Sequence, residues 1–151
     1  MRFSLTINGK LKNFDEPVHI TLLELLNAQG LWSVKKGCDN GICGSCTVIV
    51  DNDAVYACRM LAVQAQGKRI ETYENIDKNH HLAAVKEVLL DFGDSDCGYC
   101  IPGMMMSVKA LLQKVHEPTE EELLDTLSGN SCHCTTSVKP VNAIIEALKK
   151  F

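Results

Sequence analysis

Residues 37–46 read GCDNGICGSC, and this stretch decides how the N-terminal half of the chain is interpreted. It places Cys38, Cys43 and Cys46 in one loop with the spacing C-x4-C-x2-C. A further cysteine, Cys58, follows across a predicted pair of strands. Four thiolates brought to one place by such a loop form a set of soft ligands for iron or zinc.

The glycines of this loop indicate which metal centre it holds. Gly37, Gly41 and Gly44 have no Cβ, so we expect them to adopt positive φ and to turn successive amides toward sulfur. Inward N–H groups stabilise an anionic cluster, and the spacing itself is that of plant-type 2Fe-2S ferredoxins. A structural zinc site is the alternative, although such sites usually bring their cysteines in two C-x2-C pairs.

A second group of cysteines lies in the C-terminal half, as a C-G-Y-C segment and a C-H-C segment: Cys97, Cys100, Cys132 and Cys134. Pro102 suits the first turn of a helix, so the first segment is predicted to lie at a helix N-terminus, where free amides favour thiolates and an anionic cluster. A redox-active thiol pair of thioredoxin type is the alternative for C-G-Y-C. It needs a βαβ setting, which the pattern does not predict, and it leaves C-H-C without a role.

Composition limits the other function classes. The chain has 151 residues, eight cysteines, a net charge of -4 and 46% hydrophobic residues. No apolar run has the length of a membrane-spanning helix, and no basic stripe indicates a nucleic-acid surface. The first residues alternate like a strand and show no signal-peptide pattern, so we expect a cytoplasmic protein whose cysteines bind metal rather than form disulfides.

The hydrophobic period changes near residue 75. Before it, alternating residues around Asn8-Gly9, a capping box at Thr21 and a β-branched run at residues 47–50 predict a small mixed sheet with one main helix. After it, apolar residues recur at helical spacing in four segments. The sequence therefore predicts an α+β chain with domains at residues 1–74 and 75–151.

Several segments closely resemble the iron-sulfur subunit of the molybdenum hydroxylases, the family of xanthine dehydrogenase, aldehyde oxidoreductase and carbon monoxide dehydrogenase. The resemblance covers nearly the whole chain and is carried by SVKKGC at 33–38, GICGSCTV at 41–48, LAVQA at 61–65, CGYCIPGM at 97–104 and GNSCHCT at 129–135. It implies a β-grasp, plant-type ferredoxin domain followed by a four-helix bundle, each with one 2Fe-2S cluster.

The resemblance also implies the partners. Electrons would pass from a molybdopterin cofactor in a large subunit, through both clusters, to a flavin (FAD) subunit or another acceptor, and the cluster of the helical domain would lie next to the pterin. No catalytic residue is expected in this chain; the substrate of the complex would be a purine, an N-heterocycle or an aldehyde. A free-standing electron carrier and a structural metal-binding adaptor are the alternative functions.

Asp96, His133 and Thr136-Ser137, the last in place of the usual Gly-Tyr, depart from the family pattern. The family commonly has glutamine before the first helical-domain cysteine, in contact with the pterin, and this chain has Asp96, which we still expect to contact it. A carboxylate accepts hydrogen bonds but donates none unless it is protonated. The usual arginine between the last two ligands is His133, which removes a permanent cation beside the second cluster.

Overall fold

The computed structural model describes residues 1–76, 80–92, 97–134 and 141–150. Five strands form one sheet: β1 (Arg2–Ile7), β2 (Lys10–Asp15), β3 (Thr47–Val50), β4 (Asp53–Tyr56) and β5 (Arg69–Glu71). The strand order is β2-β1-β5-β3-β4, with β1 and β5 parallel and the other neighbours antiparallel. The N-terminal half therefore has the predicted mixed sheet. The apolar pattern after Asn8-Gly9 also predicts that the returning strand continues to Val18 and Ile20, but β2 ends at Asp15.

One helix, α1 (Leu22–Ala28), packs against this sheet. Thr21 closes the predicted capping box with Glu24, and Gly30 follows the helix with a φ of +80°. Leu22, Leu25 and Leu26 are fully buried with alternate residues of β1. The capped apolar segment thus forms one side of the first hydrophobic core, as the sequence predicts.

The C-terminal half is helical. Four helices follow the sheet: α2 (His80–Phe92), α3 (Ile101–Lys114), α4 (Glu120–Ser128) and α5 (Val141–Leu148). Thr119 forms the second capping box with Glu122, and α4 ends before Gly129. Met104, Met105 and Met106 of α3 are buried in the second hydrophobic core, where their flexible side chains fill the interior. The α+β architecture is confirmed.

Strand β3 belongs to both cores. All four of its residues are buried, because α1 and its neighbours cover one face of the strand while α3 covers the other. Val48 and Val50 lie in the first core, whereas Ile49, which points to the opposite face, lies in the second. A strand covered on both faces has a continuous hydrophobic sequence, which explains the run TVIV.

None of the helices in the described part of the chain is long and apolar enough to span a bilayer.

Candidate metal centres

The first ligand loop connects α1 to β3 and lies against the first core. Cys43 and Cys46 are buried, while Cys38 and Cys58 are partly exposed. Cys58 lies in a short 3-10 turn, Ala57–Arg59, directly after β4. The Ala57 N–H donates to the Cys46 carbonyl at 3.2 Å, so the turn with the fourth predicted ligand is fixed beside the third.

Backbone amides of this loop point at sulfur, as expected for an anionic centre. The Ile42 N–H donates to Cys38 Sγ at 3.4 Å, and the Ser45 N–H donates to Cys43 Sγ at 3.5 Å. The pKa of Cys38 is lowered to about 7, first by the Cys43 N–H and then by the N–H of Ile42. The loop therefore stabilises negative charge on Cys38 before any metal is considered.

Cys46 shows the opposite effect. Burial raises the pKa of its thiol to about 12, and the hydrogen bond from the Cys58 backbone offsets only part of this. A buried thiol of this kind stays protonated unless a metal cation compensates the charge of the thiolate. The donor set, one thiolate-favouring cysteine beside buried ones, therefore fits a metal centre better than a reactive thiol pair.

The three glycines of the loop meet two different requirements. Gly41 and Gly44 have φ values of +72° and +71°, as predicted. The same prediction for Gly37 was wrong, because Gly37 is not among the residues with positive φ. Gly37 is required for space instead: a Cβ there would lie 2.9 Å from Cys43 Sγ and 2.8 Å from Ser45 Oγ.

The second ligand set lies where α3 begins. Cys100 is the N-cap residue of α3 and Pro102 lies in its first turn, as predicted. The Sγ atoms of Cys97 and Cys134 are 3.6 Å apart, and Cys100 and Cys132 pack against the second core. The structure thus brings the C-G-Y-C and C-H-C segments to one place. His133 is exposed, and Asp96 lies outside the described residues.

The arrangement of these ligands bears on the kind of metal. All eight cysteines are described and none forms a disulfide. Among the residues that the structure describes, no group of three or more histidine, cysteine or carboxylate side chains surrounds a single-ion position. A zinc site requires four ligand atoms around one point, whereas a dinuclear cluster spreads its four thiolates over two irons. The C-x4-C-x2-C spacing and the amides that point at the Sγ atoms of Cys38 and Cys43 fit the dinuclear cluster.

The two ligand loops contact each other directly. The Ser131 N–H, one residue before Cys132, donates to the Cys43 carbonyl at 2.8 Å. The buried Asn130 donates from Nδ2 to the Gly44 carbonyl at 3.0 Å, and its Oδ1 accepts from the Ser107 hydroxyl at 2.8 Å. The backbone of Cys43 in the first set is therefore hydrogen-bonded to the backbone next to Cys132 in the second set.

Two tyrosines add to this junction. The Tyr56 hydroxyl donates to the Gly129 carbonyl at 2.6 Å, and the Tyr99 hydroxyl donates to the Lys36 carbonyl at 2.8 Å. The Lys35 ammonium lies 4.7 Å from the centre of the Tyr99 ring. Sequence reasoning assigned no role to Ser107, Asn130 or the two tyrosines, because their partners are distant in sequence and no local pattern indicates them.

Comparison with known proteins identifies both halves of the chain. Residues 5–71 match the family described as "2Fe-2S iron-sulfur cluster binding domain", and residues 72–145 match the family described as "[2Fe-2S] binding domain". The chain therefore contains two 2Fe-2S cluster-binding units, and the prediction of two such clusters is confirmed.

Relatives of known function cover almost the whole chain. It is 40% identical to the nicotinate dehydrogenase small FeS subunit of Eubacterium barkeri, over 97% of this chain and 94% of the relative. It is also 40% identical to the xanthine dehydrogenase iron-sulfur-binding subunit of Escherichia coli O157:H7, over 95% and 92%. These relatives are named as subunits of larger enzymes, which contradicts the alternative of a free-standing carrier.

Solved structures agree. A chain of quinoline 2-oxidoreductase from Pseudomonas putida 86 superposes with a TM-score of 0.86 at 35% identity, covering 99% of this chain and 94% of that one. Aldehyde oxidoreductase from Desulfovibrio gigas gives 0.84 at 34% identity, covering 98% of this chain but only 17% of that one. This protein belongs to the iron-sulfur small subunits of the molybdenum hydroxylase family and transfers electrons within an oxidoreductase complex.

Proposed function

We propose that the chain relays single electrons from a molybdopterin cofactor in a large partner subunit, through two clusters, to a flavin subunit or another acceptor. The observation that carries this proposal is the hydrogen bond of 2.8 Å between the Ser131 N–H and the Cys43 carbonyl. Together with Cys132 and Cys43 it forms a short covalent and hydrogen-bonded connection between the two ligand sets. Electron transfer requires that the two clusters lie close together, and this contact holds the two ligand sets side by side, whereas two separate structural metal sites have no need of it.

The proposed ligands follow from the two sets described above. Cys38, Cys43, Cys46 and Cys58 would hold the first cluster, and Cys97, Cys100, Cys132 and Cys134 the second. A bound 2Fe-2S cluster accepts and releases one electron without a change of ligands. The amides of the first loop stabilise the negative charge on sulfur, and the surrounding core limits the access of water to Cys43 and Cys46.

The nature of the large partner is supported by the relatives. In the aldehyde oxidoreductase of Desulfovibrio gigas this fold forms one part of a much longer chain. In the nicotinate and xanthine dehydrogenases it is a separate subunit. We place the helical-domain cluster next to the pterin, with Asp96 as a contact, and the first cluster toward the acceptor. The substrate class is a purine, an N-heterocycle or an aldehyde.

The proposal also covers the domains, the location and the acceptor of the protein. The division into domains at residues 1–74 and 75–151 is supported by the two hydrophobic cores, which lie on either side of this boundary except for Ile49 and Tyr73. A cytoplasmic location is supported by eight cysteines without a disulfide. A flavin-containing acceptor follows from the family resemblance.

Metal analysis and electron paramagnetic resonance of the purified complex test the ligand assignment. We expect about four irons and four sulfides per chain, with two distinguishable signals after reduction. Cys43→Ser should remove one signal and Cys132→Ser the other, so each variant is the control for the other. Zinc in place of iron would contradict the relay. Loss of both signals in either variant would contradict the assignment of the eight cysteines to two separate clusters.

A further inference from the structure

Arg59, which no step of the proposed relay uses, follows the predicted ligand Cys58 in a turn whose backbone is fixed. Ala57 is fully buried and its N–H is bound to the Cys46 carbonyl. On the other side of the turn, the Met60 carbonyl accepts from the Leu22 N–H at 2.8 Å. The backbone of Arg59 is therefore held beside the ligand loop, while its side chain is exposed.

The side chain of Arg59 lies across the ligand loop. A Cβ placed on Gly41 would collide with the arginine stem, lying 2.8 Å from Cγ and 3.0 Å from Nε. Gly41 lies in the ligand loop between Cys38 and Cys43. Arg59 thus packs directly on the loop that carries the first ligands.

The lysine side chains near this loop already interact with other residues. Lys36 pairs with Asp39 at 2.6 Å, and Lys35 lies over the Tyr99 ring. Arg59 borders a cavity of about 690 Å³, in whose wall Lys114 is paired with Asp53 at 2.5 Å. Within the described part of the chain, no carboxylate forms an ion pair with Arg59. No carboxylate in that part of the chain therefore neutralises its charge.

We infer that the guanidinium charge of Arg59 raises the reduction potential of the first cluster. This inference rests on the ligand assignment of the proposed function. Reduction adds one electron, supplied by the second cluster in the complex or by dithionite in a titration, and no bond to the protein changes. The cluster becomes more negative by one charge, and a fixed cation at the ligand loop stabilises that state more than the oxidised one. Arginine keeps its charge throughout.

The test separates the charge of Arg59 from its packing. Arg59→Met keeps an unbranched stem on Gly41 and removes the charge, whereas Arg59→Lys keeps both. Arg69→Met removes an arginine of the same domain that lies on β5 and pairs with Asp51, and it serves as the matched control. Each variant is purified as the complex, and its two cluster signals are titrated by paramagnetic resonance against potential. The first signal is identified as the one that Cys132→Ser retains.

We expect Arg59→Met to make reduction of the first cluster about tenfold less favourable, a shift of 59 mV for one electron. Arg59→Lys and Arg69→Met should stay near the wild-type potential, and the second signal should not move in any variant. Equal potentials in the Met and Lys variants, or loss of the first cluster from both, would overturn the inference while leaving the relay intact. Absence of both clusters from the wild-type protein would instead overturn the proposed function.

Discussion

At the scale of single residues, Gly44 shows how strongly the first ligand loop depends on its contacts with the helical half. Its φ is +71°, and a Cβ there would meet the Gly129 carbonyl and Asn130 Nδ2, the latter at 2.6 Å. Gly67 has a similar φ of +74°, yet a Cβ there would meet nothing within 4 Å. Substituting each glycine by alanine therefore distinguishes two energetic costs. Both variants have the cost of the positive φ, and only the variant at position 44 has the cost of the steric contact.

Gly44→Ala should destabilise the protein considerably more than Gly67→Ala. The conformation alone costs about 1–2 kcal/mol in each variant, and the clash with backbone at position 44 adds to it. Denaturant unfolding of both variants, with iron analysis, measures the difference. We expect the Gly44 variant also to lose iron from the first site. Equal free energies of unfolding would show that the two loops separate without cost.

Glu74 is a residue whose charge affects stability in a defined pH range. It accepts hydrogen bonds from the Ser33 N–H at 3.0 Å, from the Ser33 hydroxyl at 2.6 Å and from the Thr72 hydroxyl at 2.5 Å. Partial burial raises the pKa of this carboxyl, but the hydrogen bonds from Ser33 and Thr72 outweigh it, so the pKa is lowered from 4.5. The carboxylate thus connects the end of the sheet to the segment after α1.

Glu74→Gln should therefore lower the free energy of unfolding at pH 7 by about 1 kcal/mol, allowing for solvent screening. The folded pKa is depressed, so the contribution is complete above the pKa of Glu74 in the unfolded chain, which is the higher of the two, and is lost as the pH falls through the folded pKa. Unfolding of variant and wild type at pH 7 and pH 4 measures this. The exposed Glu117→Gln is the control; a difference that is constant with pH would contradict the argument.

At the scale of elements, the first turn of α3 sets how closely this helix approaches the first ligand loop. A Cβ on Gly103 would collide with the Gly44 carbonyl and lie 3.1 Å from Ser45 Cα. The helix therefore approaches the first ligand loop at backbone distance, which only glycine permits. The same helix starts directly after Cys100 and covers β3, so one element carries part of the second ligand set and contacts the first.

Gly103→Ala should destabilise the protein although alanine has the higher helix propensity. Propensity alone favours alanine by about 1 kcal/mol, but the collision forces α3 away from the loop. Gln113→Ala, at an exposed position of α3, is the control and should change stability little. Thermal unfolding of both variants provides the comparison, and a stabilised Gly103 variant would show that α3 moves freely relative to the loop.

At the scale of the whole molecule, two ion pairs connect the helical half to the sheet through α3. Lys109 binds Glu71 of β5 at 2.5 Å, with side chains that are 13% and 30% exposed. Lys114 binds Asp53 at the same distance, with side chains that are 55% and 69% exposed. Both lysines lie on α3, and their partners lie on β5 and β4 of the same sheet. The two pairs therefore differ mainly in burial.

Lys109→Met should cost about 1–3 kcal/mol in the free energy of unfolding, because it leaves the Glu71 carboxylate partly buried without its partner. Lys114→Met should cost less, since water and salt screen the exposed pair. Denaturant unfolding at low and high salt distinguishes them. We expect the Lys114 effect to vanish at high salt and the Lys109 effect to persist; the reverse order would contradict the role of burial.

The sequence alone determined the features that depend on neighbours along the chain. The capping box at Thr21, the helical period after residue 75 and the spacing of the cysteines are local, and they were sufficient to predict the α+β architecture and the number of clusters. Local patterns are readable because the strand and helix periods and the cap hydrogen bonds involve residues only a few positions apart.

The tertiary structure alone decided how the two halves meet. The contacts of Asn130 with Gly44, of Ser131 with Cys43 and of Arg59 with Gly41 join residues that no periodicity relates. For the same reason Gly37 was assigned a positive φ when its actual requirement is space beside Cys43 Sγ. Such contacts depend on the relative placement of packed elements, which is fixed by side-chain packing across both cores rather than by local propensity.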